Sequence, residues 1–209
     1  MKQSKLILFD WGGIVDSHRT GYSFYKAYQD AFTKLGYTGE GILESKILDK
    51  YEITSARNLN ELEQKYNQIK TDLNLSGNFE EFKENFLNHL SKTDHYPDVS
   101  EYETSLKDRC NIGILSNLII LDKERIAKQL KLEDYDYLFF SFDLGLSKPN
   151  PQIYNKINEQ LPIPPKDILF LDDTEANVTA AKEAGWNSVC VTGLELPKIK
   201  AYCEAFLEN

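Results

Sequence analysis

Four polar sites in this 209-residue chain carry residue types that could do chemistry, and each follows an apolar run or lies in the loop after one. They are Asp10, the pair Ser116-Asn117, Lys148, and the pair Asp172-Asp173. Together they offer a carboxylate nucleophile, a hydroxyl donor, a fixed cation and two adjacent carboxylates. That set suits phosphoryl transfer. Carboxylate oxygens hold a hard divalent cation, and the cation and the lysine neutralise charge that builds on the transferring group. In an open parallel sheet, ligands bind beyond the carboxyl ends of the strands, so the elements carrying these residues must be strands that end side by side.

The patterning agrees. Residues 5–10 form a short, nearly continuous apolar run that stops at Trp-Gly-Gly, as a strand buried on both faces does. Residues 22–90 have helical composition, with Tyr22, Tyr25, Tyr28, Phe32 and Leu35 at spacings of three and four along one stripe. Glycines 36, 39, 41 and 77 divide the stretch into three or four helices. From Pro97 on, strand-like runs at 110–115, 137–142, 168–171 and 188–191 alternate with helical segments near 97–108, 121–130, from Pro149, and 173–184, the last closed by Gly185. A final helix reaches the C-terminus. Such alternation predicts βαβ units on a parallel sheet. The fold class expected is α/β, a doubly wound parallel sheet made by residues 1–16 and 96–209, with a small all-helical cap, residues 17–95, inserted after the first strand.

Bulk properties narrow the partners. A net charge of −9 argues against a broad nucleic-acid surface, while one metal ion and one lysine suffice to bind a small phosphorylated metabolite. The apolar run at 6–9 is too short for a signal-peptide core, and no run approaches the roughly 18 residues of a membrane span. Cys110, Cys190 and Cys203 lack metal-ligand spacing; Cys110 and Cys190 sit in strand-like runs and are expected to be buried reduced thiols. The location expected is the cytoplasm. The three histidines, His18, His89 and His95, are dispersed, with His89 and His95 expected at the surface or a cap hinge.

Four segments occur in order: Phe9-Asp10-Trp11-Gly12-Gly13-Ile14-Val15, Ile114-Leu115-Ser116-Asn117, Gly145-Leu146-Ser147-Lys148-Pro149-Asn150-Pro151, and Phe170-Leu171-Asp172-Asp173-Thr174-Glu175-Ala176-Asn177-Val178 followed by Ala180-Ala181-Lys182-Glu183-Ala184-Gly185. Through them the chain resembles the haloacid dehalogenase superfamily over almost its whole length. The resemblance implies a magnesium-dependent phosphatase. Asp10 would attack phosphorus and form an aspartyl-phosphate. Mg²⁺ would be held by Asp10, the Gly12 carbonyl and Asp173, with Asp172 binding directly or through water. Ser116, Asn117 and Lys148 would bind phosphate oxygens, Asn177 would brace the fourth segment, and the cap would close over the site and select substrate.

One position departs from the family pattern. Most phosphatases of this superfamily carry an aspartate two residues after the nucleophile, which protonates the leaving group and later activates water; here it is Gly12. Asp16 and His18 are the nearby candidates to replace it, and neither is expected to be a full substitute, leaving water or an acidic leaving group to take over. Dehalogenases of the superfamily also lack that aspartate, but they work without a metal and usually lack an acidic pair in the fourth segment. A metal-free dehalogenase, a phosphomutase, and a slow-turnover protein that binds phosphate ligands therefore stand as alternatives.

Overall fold

The computed structural model describes residues 4–17, 24–39, 41, 46–91, 94–129 and 131–208. In chain order, β1 is Leu6–Phe9, β2 Asp16–Ser17, α1 Phe24–Lys34, α2 Ile47–Lys50, α3 Leu59–Leu73, α4 Phe79–Leu90, β3 Asp94–His95 and α5 Pro97–Ser105. There follow β4 Asn111–Ser116, α6 Lys123–Gln129, β5 Tyr137–Phe140, α7 Ser141–Leu144, α8 Pro151–Gln160, β6 Ile168–Asp172, α9 Glu175–Glu183, β7 Asn187–Cys190 and α10 Leu196–Glu208.

β1 is four apolar residues, all buried, because it is the middle strand of a five-stranded sheet ordered β5-β4-β1-β6-β7. All four pairings are parallel, with Leu6 opposite both Asn111 of β4 and Ile168 of β6. Side chains alternate between faces along a strand. Ile7 and Phe9 accordingly pack with Val99 of α5, Leu106 just past it, Ile126 of α6, and Ile199 and Leu207 of α10. Leu6 and Leu8 pack with Ile153, Tyr154, Ile157 and Ala181, from α8 and α9. Helices cover both faces, which is the doubly wound α/β arrangement expected from the sequence. The chain leaves β1 toward β4 on one side and returns to β6 on the other, so the strand order reverses at β1, where a crevice opens at the carboxyl ends.

Between β1 and β4 the two short strands β2 and β3 pair antiparallel, Asp16 opposite His95. The chain between them holds α1 to α4 around a separate apolar cluster. Its aromatic interior puts the Tyr28 ring centroid 4.7 Å from Phe86 and Tyr66 5.0 Å from Phe82. Of the expected tyrosine stripe, Tyr28, Phe32 and Leu35 are buried, Tyr25 is exposed, and Tyr22 lies outside the described residues. The local signals are strong: Asn78 and Glu81 form a reciprocal capping box at the start of α4, and Gly36 takes φ +98° just past α1. Among the described residues, no helix is long and apolar enough to cross a membrane.

Two expectations need correction. Cys190 is exposed rather than buried, because β7 is the edge strand. His89 is buried rather than at the surface, with Nδ1 2.9 Å from Asp30 Oδ2 of α1.

Candidate active site

β1 delivers Asp10 to the crevice, and the Asp10 N–H still donates to the Leu171 carbonyl of β6 at 2.8 Å, so the ladder fixes the backbone under the side chain. The turn that follows is tight: Val15 and Asp16 N–H groups both donate to the Trp11 carbonyl. Three donors converge on one Asp10 oxygen. Ser116 Oγ and the Trp11 N–H reach Oδ1 at 2.7 Å, and Lys148 Nζ at 3.0 Å. The donors from the described residues thus all meet Oδ1, and Oδ2 is left for a cation or an electrophile. Burial pushes the Asp10 carboxyl up to about 7, helped by Asp172 and Asp173 and opposed by Lys148 and the Ser116 hydrogen bond.

Lys148 reaches this point from the loop after α7. Its Nζ also donates to Asp172 Oδ2 at 2.6 Å and to the Leu115 carbonyl at 3.0 Å. Burial draws its pKa down, but Asp10 and Asp172 outweigh that and hold the ammonium above the usual lysine range. Asn117 keeps the lysine in place: its Nδ2 donates to the Lys148 carbonyl and its Oδ1 accepts from the Lys148 N–H, both at 2.8 Å. These two bonds use one of the two Nδ2 hydrogens, and Asn117 also lines the pocket.

The two aspartates at the end of β6 are not equivalent. Asp172 is wholly buried. Its Oδ1 accepts from the Thr174 N–H at 2.8 Å, Asn177 Nδ2 lies 3.0 Å from both oxygens, and Lys148 fills Oδ2. Asp173 is partly exposed and lies beside Gly13, whose backbone turns through φ +76° so closely that an added Cβ would run into Asp173 Oδ2. One oxygen from each of Asp10, Asp172 and Asp173 falls within 4.8 Å of the others. One lysine among three such carboxylates leaves negative charge unbalanced in a buried setting, and oxygen donors at this spacing fit a hard divalent cation.

The structure thus brings together Asp10, Gly12, Ser116, Asn117, Lys148 and Asp173 around one pocket, with Asp172 supporting it from below. Gly12 lines the pocket and presents only backbone. Asp16 lines it too, with Oδ2 3.6 Å from Arg125 Nη2, while His18 lies outside the described residues. Trp11 is buried in the core and walls the pocket as well. Asp122 and Arg125 join the site without a motif to mark them. Arg125 Nε and Nη2 donate to Asp122 Oδ1 and Oδ2 at 2.6 and 2.9 Å, inside the same pocket. The i, i+3 spacing of an acid and a base at a helix start was the available signal, but the same spacing is common on solvated helix faces.

Fold and site define a hydrolase of the α/β class with an acidic centre at a strand-order reversal. The chain belongs to the haloacid dehalogenase-like hydrolase family, whose model matches residues 4–185. It is 30% identical over 197 residues to a D-ribitol-5-phosphate phosphatase from Bacteroides thetaiotaomicron, covering 88% of this chain and 90% of that one. Among solved structures, a HAD-like family hydrolase from Porphyromonas gingivalis superposes with a TM-score of 0.71 at 20% identity, over 96% of this chain and 98% of that one. A HAD family enzyme from Bacteroides thetaiotaomicron, crystallised with magnesium and inorganic phosphate, gives 0.68 at 20% identity, over 92% and 96% of the two chains.

Proposed function

We propose that the chain hydrolyses a small phosphate monoester in a Mg²⁺-dependent reaction through an aspartyl-phosphate on Asp10. The observation that carries this reading is the convergence of Ser116, Lys148 and the Trp11 N–H on Oδ1 of Asp10, with Asp172 and Asp173 oxygens close by. That grouping leaves Oδ2 to attack phosphorus, while Oδ1 would be the oxygen on the ion once Ser116 and Lys148 turn to the phosphoryl oxygens.

Asp10, Asp173 and the Gly12 carbonyl would hold the ion, with Asp172 acting through water because its own oxygens are taken up by Lys148, Asn177 and Thr174. When bound, the ion supplies neutralisation of the carboxylates and of the phosphoryl oxygens. Asp10 attacks phosphorus, and the ester P–O bond breaks. Lys148 and Ser116 offset charge on the phosphoryl oxygens. Gly12 offers no side chain, so water protonates the departing alkoxide, giving the alcohol and hydroxide. A second water then releases phosphate and restores the carboxylate. Residues 17–95 serve as a cap that closes over the pocket, and the enzyme works in the cytoplasm.

The relative with activity toward ribitol 5-phosphate puts linear polyol phosphates at the head of any substrate panel. Quenching the enzyme during turnover and weighing the peptide that carries Asp10 tests the route. A phosphoryl group on Asp10 is expected; turnover with Asp10 never modified would refute the reading. Gly12 also favours a second reading, a slow-turnover protein that binds phosphate ligands, distinguished by tight Mg²⁺-dependent binding with negligible release.

A further inference from the structure

The pocket contains a buried ionic group that the reaction does not use. Asp122 follows a short turn after β4, its side chain wholly buried, and it takes two hydrogen bonds from Arg125 of α6, which is itself only 13% exposed. On its other side Arg125 faces Asp16 of β2, Nη2 to Oδ2 at 3.6 Å. All three residues line the cavity that contains Asp10 and Lys148.

This matters because Arg125 is the cation best placed to receive an anion on the organic part of a substrate, and its charge is already matched. Asp122 engages it through two nitrogens, the geometry in which a guanidinium binds a carboxylate most strongly. Lys148 is likewise held by Asp10 and Asp172. Five aspartates, Asp10, Asp16, Asp49, Asp122 and Asp173, are among the lining residues, against the two cations Lys148 and Arg125, with the Asp122 carboxylate itself wholly buried on Arg125. Asp10, Asp173 and Lys148 belong to the end that would hold the ion and the phosphate, so the balance beside Arg125 is set by Asp16 and Asp122. Carboxylates facing a cavity accept hydrogen bonds from hydroxyls and repel other anions. The rest of the wall is mixed, with Phe24, Leu48, Ile53 and Leu118 apolar and Tyr25 and Thr54 offering hydroxyls.

We infer that the Asp122–Arg125–Asp16 group is a selectivity element: it admits phosphate monoesters of uncharged, hydroxyl-bearing alcohols and rejects those whose organic part carries a second anion. The inference rests on the phosphatase reading above, and the test separates the two.

Rates are compared for three probes with Mg²⁺ present: p-nitrophenyl phosphate, a pentitol 5-phosphate, and the pentonate 5-phosphate of the same carbon skeleton ending in a carboxylate. The expected result is release from p-nitrophenyl phosphate, with kcat/KM for the pentitol ester about 100-fold or more above that for the pentonate. Asp16→Asn and, separately, Asp122→Asn uncover part of the guanidinium charge and should narrow that ratio by about tenfold or more. Release from none of the three probes would overturn the phosphatase reading itself. Release from p-nitrophenyl phosphate with a pentitol-to-pentonate ratio near one would overturn the selectivity element alone. A large ratio untouched in both variants would overturn its assignment to these residues. The wild-type ratio needs no variant, so it remains decisive if a substitution prevents folding.

Discussion

Lys148 Nζ lies 2.6 Å from Asp172 Oδ2, and the two side chains are 1% and 0% exposed. A buried ion pair of this kind fixes geometry more than it adds stability, and removing one partner leaves a charge stranded out of water. Asp172→Asn removes the shorter of the two ion pairs of Lys148 and leaves Asp10 at 3.0 Å, so it should destabilise the fold by about 1.5–3 kcal/mol, the cost of one charged hydrogen bond, measured by denaturant unfolding. Lys148→Met, which also removes the cation, should lose phosphate release altogether. A fully stable Asp172→Asn protein would show that the pair is not what holds the lysine.

Gly12 offers a gain-of-function test. An added Cβ at Gly12 would meet nothing within 4 Å, so Gly12→Asp should fit and supply the missing acid–base group. Turnover of alkyl phosphates should rise on the order of 100-fold, with little change for p-nitrophenyl phosphate, whose leaving group needs no proton. Equal effects on both substrates would argue against a proton-transfer role for position 12.

Gly13 should tolerate nothing larger. Its φ of +76° disfavours any side chain, and a Cβ would collide with Asp173 Oδ2. Gly13→Ala should displace the Asp173 carboxylate and weaken Mg²⁺ binding at least about tenfold, read by titrating Mg²⁺ against activity or by calorimetry. An unchanged Mg²⁺ titration would remove Asp173 from the ion's ligands.

Away from the site, Glu103 is buried and accepts a hydrogen bond from the Tyr135 hydroxyl at 2.9 Å. Burial raises its carboxyl to about 8, with the Tyr135 bond pulling the other way. Between the ordinary glutamate value and about 8, the folded protein keeps a proton that the unfolded chain has lost. Glu103 therefore contributes stability at low pH that declines as pH rises through this window, by about 1.4 kcal/mol per pH unit. Glu103→Gln keeps an acceptor for Tyr135 and should flatten that part of the stability–pH curve, making the variant the more stable protein at pH 8. The same slope in both proteins would mean that Glu103 does not titrate there.

Much of this arrangement is legible in the chain because strands buried on both faces write themselves as continuous apolar runs, as at Leu6–Phe9 and Ile168–Asp172. Each run ends at a polar residue that the parallel register then carries to the same edge, which is why Asp10, Ser116 and Asp172 could be singled out before their neighbours were known. Long-range pairing is what a sequence hides. His89 looks like a surface residue until Asp30, 59 positions earlier, is brought against it. Cys190 looks buried until β7 proves to be an edge. Asp122 and Arg125 resemble an ordinary solvated helix pair, and only the packing of α6 beside the Asp16 strand turns them into a pocket wall.

The most direct test of the central claim is phosphate release from a panel of phosphomonoesters, with and without Mg²⁺, by the wild type and by Asp10→Asn. The account predicts release that requires Mg²⁺ and disappears in Asp10→Asn. Release that persists in Asp10→Asn, or that proceeds equally well without a divalent ion, would contradict it.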